Sequence, residues 1–162
     1  MGKKKITTEK VLEVYRVLSD AKFSKLDGAD QTKIVKILLA LEPTAKDFET
    51  ATKTAADKLK EAFPDYDDKA QKAAQYQTML QDKNADMSEA PMGAAEYHQF
   101  MNGEYAELNK RVKAAVEGLG NKEVEVDFEP ITEDLMQQIS ESNKTTWTFA
   151  HAKVLTTISS IN

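Results

Sequence analysis

Cysteine is absent from the 162 residues, so disulfides, thiolate metal sites and cysteine nucleophiles are excluded together. Histidine is nearly absent as well. His98 and His151 lie far apart, and neither has a second ligand three or four residues along its helix, so a zinc-type site has nothing to build from. Each reads as a packing histidine beside an apolar stripe. No Gly-x-Ser-x-Gly elbow and no glycine-rich phosphate loop occurs, which removes the common nucleophile and nucleotide motifs. No apolar run approaches the roughly 18 residues of a membrane span, and the start lacks the apolar stretch of a secretory signal. In "MGKKKI", Ile6 stands where a myristoylation signal wants Ser or Thr. The expected location is the cytoplasm or a particle assembled there, with no membrane insertion.

What is present describes a folded chain. Residues are 41% hydrophobic and 30% charged, ordinary values for a soluble globular protein, and the length suits one domain over 1–162. Twenty-two basic residues against 27 acidic ones give a net charge of −5, which argues against a nucleic-acid partner because phosphate binding wants a basic face. The one basic run, Lys3-Lys4-Lys5, reads as a solvated N-terminal tail.

The fold class is mainly α. In "ITTEKVLEVYRVLSDA", Thr7 can cap a helix with Val11, Val14, Tyr15 and Leu18 on one face, ending near residues 21–24. Asp27 and Asp30 are candidate caps for the next helix. From Ile34 the positions Ile34, Leu38, Leu41, Ala45, Phe48, Thr52, Ala55, Leu59 and Ala62 keep steps of four and three across Pro43. A loop at Pro43 would give the two faces no reason to stay in phase. The period therefore predicts either one long helix kinked at Pro43 or a second helix stacked almost coaxially on the first. In both cases residues 7–62 form a helical hairpin.

Residues 64–95 are polar and rich in alanine and glutamine. They read as a variable or flexible insertion, with a helix over 67–82 turning Ala70, Ala73, Tyr76 and Leu80 inward, and a loop over 83–93. Asp65, Asp67 and Asp68 lack the glycine and glutamate of a calcium loop and fit an acidic helix start. Residues 96–162 carry a long helix, a β segment and C-terminal helices. The long helix places Tyr97, Met101, Tyr105, Leu108, Val112, Ala115 and Leu119 on one face, pays for an interior Gly103, and stops at Gly118 and Gly120 with a left-handed cap. Glu104 and Glu107 read as a solvated face rather than a catalytic pair. The composition of elements predicts a protein roughly 60–70% helical.

"KEVEVDFEPI" alternates Val124, Val126 and Phe128 with acids, the signature of a half-buried strand over 123–129. A lone strand forms no sheet, so a weak strand goes unseen, or the segment lies along helices, or it pairs with another molecule. A short helix capped by Thr132 follows, then a last helix with Trp147, His151, Val154 and Ile158 on one face, flanked by Phe149 and Leu155. Val124, Val126, Phe128, Trp147 and His151 are the candidate protein-binding residues, on the hypothesis that the strand edge recruits a partner. No residue is assigned a catalytic, cofactor-binding or metal-binding role, and no small-molecule substrate is indicated.

The order of elements resembles that of a family of small phage and prophage proteins of unassigned activity. The likeness lies in Leu41-Glu42-Pro43-Thr44-Ala45-Lys46, and in Leu119, Asn121, Glu123, Val124, Val126, Phe128, Ile131 and Leu135. It covers roughly residues 7–62 and 104–158, leaving the middle unmatched. Such genes often lie in the late region that encodes tail proteins. The resemblance implies a non-enzymatic structural or assembly protein, such as a head or tail adaptor, in the virion or host cytoplasm. Its partners would be other phage proteins or a second copy of itself. The alternative it leaves open is an acidic host-interaction protein that inhibits a bacterial enzyme or defence system.

Overall fold

The computed structural model describes residues 2–160 and is 70% helical. In chain order the elements are β1 (Gly2–Thr7), α1 (Thr8–Asp20), α2 (Gly28–Lys60), α3 (Tyr66–Gln81), a 3₁₀ turn (Met87–Glu89), α4 (Ala94–Phe100), a π-helical segment (Met101–Tyr105), α5 (Ala106–Gly120), β2 (Glu123–Phe128), α6 (Glu133–Ser142), α7 (Phe149–Val154) and a 3₁₀ turn (Leu155–Ile158). The chain up to Ala51, together with the chain from Gly118 onward, forms one compact unit, and Thr52–Glu117 forms a second.

In the first unit the strand over 123–129 has a mate. β1 pairs antiparallel with β2, Ile6 opposite Val124, Lys4 opposite Val126 and Gly2 opposite Phe128. The basic run expected as a tail is therefore a strand. Its charges explain the choice: Lys3 and Lys5 stand opposite Asp127 and Glu125, cross-strand pairs of opposite sign that favour this register. Ile6, Val126 and Phe128 are buried on the other face. Lys4 shares that face and reaches past it, its Nζ donating to the Thr157 carbonyl at 2.7 Å, so the stem is covered while the charge is satisfied.

α1 and α2 form the expected antiparallel hairpin. Thr7 caps α1 by accepting from the Lys10 N–H, and Asp27 Oδ1 accepts from the Asp30 N–H at 2.8 Å at the start of α2. Val11, Val14 and Leu18 of α1 are fully buried, as are Ile34, Ile37, Leu41 and Ala45 of α2. Tyr15 Oη donates to Glu42 Oε1 at 3.3 Å, and Arg16 pairs with Glu49 at 3.0 Å. The glycine caps expected at Gly118 and Gly120 do not form, since no glycine among the described residues has positive φ. Gly120 serves close approach instead: a Cβ there would lie 3.2 Å from Glu9 Cβ and 3.5 Å from the Phe48 ring.

α2 runs unbroken through Pro43, one long helix and not two stacked ones. Pro43 and Leu39 are exposed, so the Leu39 carbonyl that proline leaves without a helical donor can turn to water. Pro43→Ala restores that donor without touching the core. It is expected to raise stability by about 1–3 kcal/mol, seen as a higher urea midpoint at unchanged slope. A lower midpoint would show that the fold needs the ring.

The second unit has its own small core. Ala73, Tyr76, Met92 and Phe100 are buried, with Tyr66, Ala70, Ala90, Tyr97 and Met101 packed against them. Residues 64–95, expected as an insertion or flexible arm, supply most of it. α3 matches the expected helix, but Leu80 points outward and is 55% exposed. Asp65 turns the chain into α3 at φ 60°, ψ 21°, a left-handed conformation that aspartate tolerates better than most residues. Asp67 and Asp68 then sit in the first turn of α3, paired with Lys60 and Lys72.

α4, the π segment and α5 make one continuous helix, the predicted long helix with an unpredicted wide turn. Phe100, immediately before the wide turn, is buried, while Tyr105 at its end, expected inward, is 38% exposed. Gly103 lies inside the wide turn, where glycine costs about 1 kcal/mol relative to alanine. An added Cβ would meet nothing within 4 Å.

Candidate functional site

The five residues singled out in the sequence divide into two groups. Val126 and Phe128 are core residues at 4% and 3% exposure, and Val124 is half-buried on the same face. Their side chains are spent on the fold of the first unit. Trp147 and His151 stack on each other, ring centroids 6.1 Å apart at 15°. His151 Nδ1 accepts from the Thr148 N–H at 3.1 Å, closing a capping box at the start of α7, while the Trp147 N–H donates to the Asn143 carbonyl at 2.8 Å. His151 is thus a local structural histidine. Among the described residues, no ring contact joins this pair to β2.

Exposed apolar side chains occur at single positions, Phe149 at 83% beside this pair and Leu80 at 55% on α3, and as a neighbouring pair on α2. Seven of the eight residues from Ile34 to Leu41 are apolar, more than one buried stripe of a helix can use. Ile34, Ile37 and Leu41 take the core face. Val35 and Leu39, one turn apart, are left 52% and 62% exposed. Leu38, assigned to the inward stripe by its spacing, is only half-buried, and Ile37 holds the core position. With Tyr15, Ser19 and Glu42, these three residues line a shallow groove of about 230 Å³ between α1 and α2.

One end of the groove is electrostatically fixed. Glu42 Oε1 accepts from both Lys46 Nζ at 2.5 Å and Tyr15 Oη at 3.3 Å. The Lys46 hydrogen bond holds the Glu42 carboxyl below the usual carboxylate range, and Glu42 in turn raises Lys46. Both groups are charged at neutral pH. On the adjoining flank of α2, one turn before the groove's centre, Lys36 is exposed.

Glu104 and Glu107, three residues apart, do not act as a pair. Each has its own cation, Lys69 at 2.9 Å and Arg111 at 2.9 Å. Among the described residues no three His, Asp or Glu side chains converge to hold a metal ion, and no helix is long and apolar enough to cross a membrane. Comparison with protein-family models, with curated proteins and with solved structures gives no match to this chain.

Proposed function

We propose that the protein is a non-enzymatic, phage-encoded structural or assembly component that works through protein–protein contact, and that the contact is made by the exposed face of α2 between identical copies. The observation that carries this reading is the surplus apolar stripe: Val35 and Leu39 sit exposed on a helix whose core face is already taken by Ile34, Ile37, Leu41 and Ala45. A helix presenting i, i+4 apolar anchors is a recurrent docking element.

A second copy fits because the flanking charges complement themselves. In an antiparallel crossing centred on Leu39, Lys36 falls opposite Glu42 of the other copy and Val35 opposite Pro43. Such a two-fold contact uses the same patch twice. The phage assignment rests on the resemblance of residues 7–62 and 104–158, and recovery of the protein from purified particles by mass spectrometry would support it.

The self-association is tested by sedimentation velocity over a concentration series. The natural chain should pass from monomer to dimer, and Leu39→Glu should stay monomeric while its melting temperature changes little, because exposed positions tolerate substitution to within about 0.5 kcal/mol. Lys36→Glu should weaken the dimer, and adding Glu42→Lys should restore part of it. A chain that stays monomeric throughout, or a Leu39→Glu variant that still dimerises, would overturn the reading.

A further inference from the structure

Three anomalies share one wall of a cavity in the second unit. The first is the π segment itself, an irregularity that tends to mark functional positions in helices. The second is Gly103, a poor helix residue held where alanine would fit without a clash. The third is Glu104. Its Oε1 accepts from Lys69 Nζ at 2.9 Å, while Oε2 is shielded from solvent and has no hydrogen-bond partner. Buried carboxylate oxygens are rarely left without a donor. Glycine at 103 keeps the space beside this carboxylate open, and the cavity there measures about 350 Å³.

The lining defines what could fill it. Met92 and Phe100, both 5% exposed, contribute apolar surface, and Glu96 adds a second carboxylate beside Glu104 and Lys69. Two carboxylates against one ammonium leave the cavity with one net negative charge. The hydrogen bond to Glu104 holds Lys69 above the usual lysine range, so the ammonium keeps its charge through neutral pH. An anion is disfavoured by the charge, and a metal ion would find too few ligands. A neutral molecule would leave the charge uncompensated.

We propose that this cavity binds a small organic cation, an ammonium on an aliphatic or aromatic body, with Glu104 as its anchor. The ammonium donates to Glu104 Oε2, which a modest turn about the soft terminal torsion of the glutamate brings toward the cavity while Oε1 keeps Lys69. Glu96 supplies the second acceptor. The body of the ligand lies over Met92 and Phe100 in the space that a side chain at 103 would occupy.

Benzylammonium is a suitable probe, with benzyl alcohol as its neutral counterpart of similar shape. Titration of the full chain, followed by amide NMR shifts at Gly103 and Glu104, should saturate with benzylammonium and respond at least tenfold more weakly to benzyl alcohol. Glu104→Gln, which can still accept from Lys69, should weaken benzylammonium at least tenfold. Gly103→Leu should abolish the saturable shift while the far-UV spectrum and melting temperature are retained or improved. The proposal is overturned if benzylammonium produces no saturable shift, if benzyl alcohol binds equally well, or if both variants bind like the natural chain.

Discussion

Asn143→Asp should destabilise the protein by about 3–5 kcal/mol, the scale expected when a buried hydrogen-bonded amide is replaced by an unpaired charge. Asn143 is 2% exposed at the end of α6. Its Oδ1 accepts from the Lys22 N–H at 2.7 Å, and its Nδ2 donates to the carbonyls of Lys22 at 3.1 Å and Ile139 at 2.8 Å. One side chain thus satisfies both backbone groups of the residue that follows the α1 cap, and it holds α1 to α6. Aspartate keeps the acceptor but turns the donor into a second acceptor aimed at two carbonyls. The sign of the pH response follows from that geometry. Burial and carbonyl repulsion raise the aspartate's folded pKa above its unfolded value, so the penalty is complete at neutral pH and shrinks as acid protonates the group. Asn143→Ala should cost less, about 2–3 kcal/mol, with no such recovery. Thermal melts at pH 7 and pH 4 decide the matter, and a loss below about 1 kcal/mol at pH 7 would show that Asn143 is not a structural tie.

Val126→Pro should unfold the first unit rather than merely abolish an assembly contact. The hypothesis drawn from the sequence placed Val126 at a partner contact, because β2 had no visible mate. The Thr8 N–H donates to the Lys122 carbonyl at 2.8 Å, which fixes the alternation of the ladder: Thr8–Lys122, Ile6–Val124 and Lys4–Val126 are the hydrogen-bonded pairs. The Val126 N–H therefore faces β1. Proline removes it, and the buried isopropyl group goes with it. Loss of a ladder bond plus a core side chain amounts to at least about 3 kcal/mol. Urea unfolding reads the loss, and hydrogen exchange should show amides of Lys4 and Ile6 unprotected. Native stability in this variant would mean that β1 and β2 do not pair in solution.

How much could be read in advance depended on the range of each interaction. The α2 helix was legible through Pro43 because the evidence was local: an apolar period that never slipped. Thr7, Asp27 and Thr132 were legible as caps for the same reason. β1 was not, since three lysines carry no alternation, and what makes them a strand is a set of acids more than a hundred residues away. Gly120 was misread because its requirement comes from Glu9 and Phe48, not from its own turn. The π segment left a trace only in Gly103, which registered as a cost without a cause. Among the candidate binding residues, the alternation of Val124, Val126 and Phe128 located a strand correctly. It could not say which face of the strand was already taken, nor that the surplus of Val35 and Leu39 was the more exposed feature.

The pairing of β1 with β2 also sets a schedule for synthesis. Ile6 leaves the ribosome long before Val124 is made, and at 5–20 residues per second the delay is on the order of ten seconds. Most of Thr52–Glu117 is synthesised during that interval, whereas the sheet of the first unit cannot form until β2 follows it. The nascent first strand waits with its backbone unpaired, the state most open to β-aggregation. Lys3, Lys4 and Lys5 are then a guard as well as a register: three like charges discourage this edge from joining another newly made copy until the acids of β2 arrive to neutralise them.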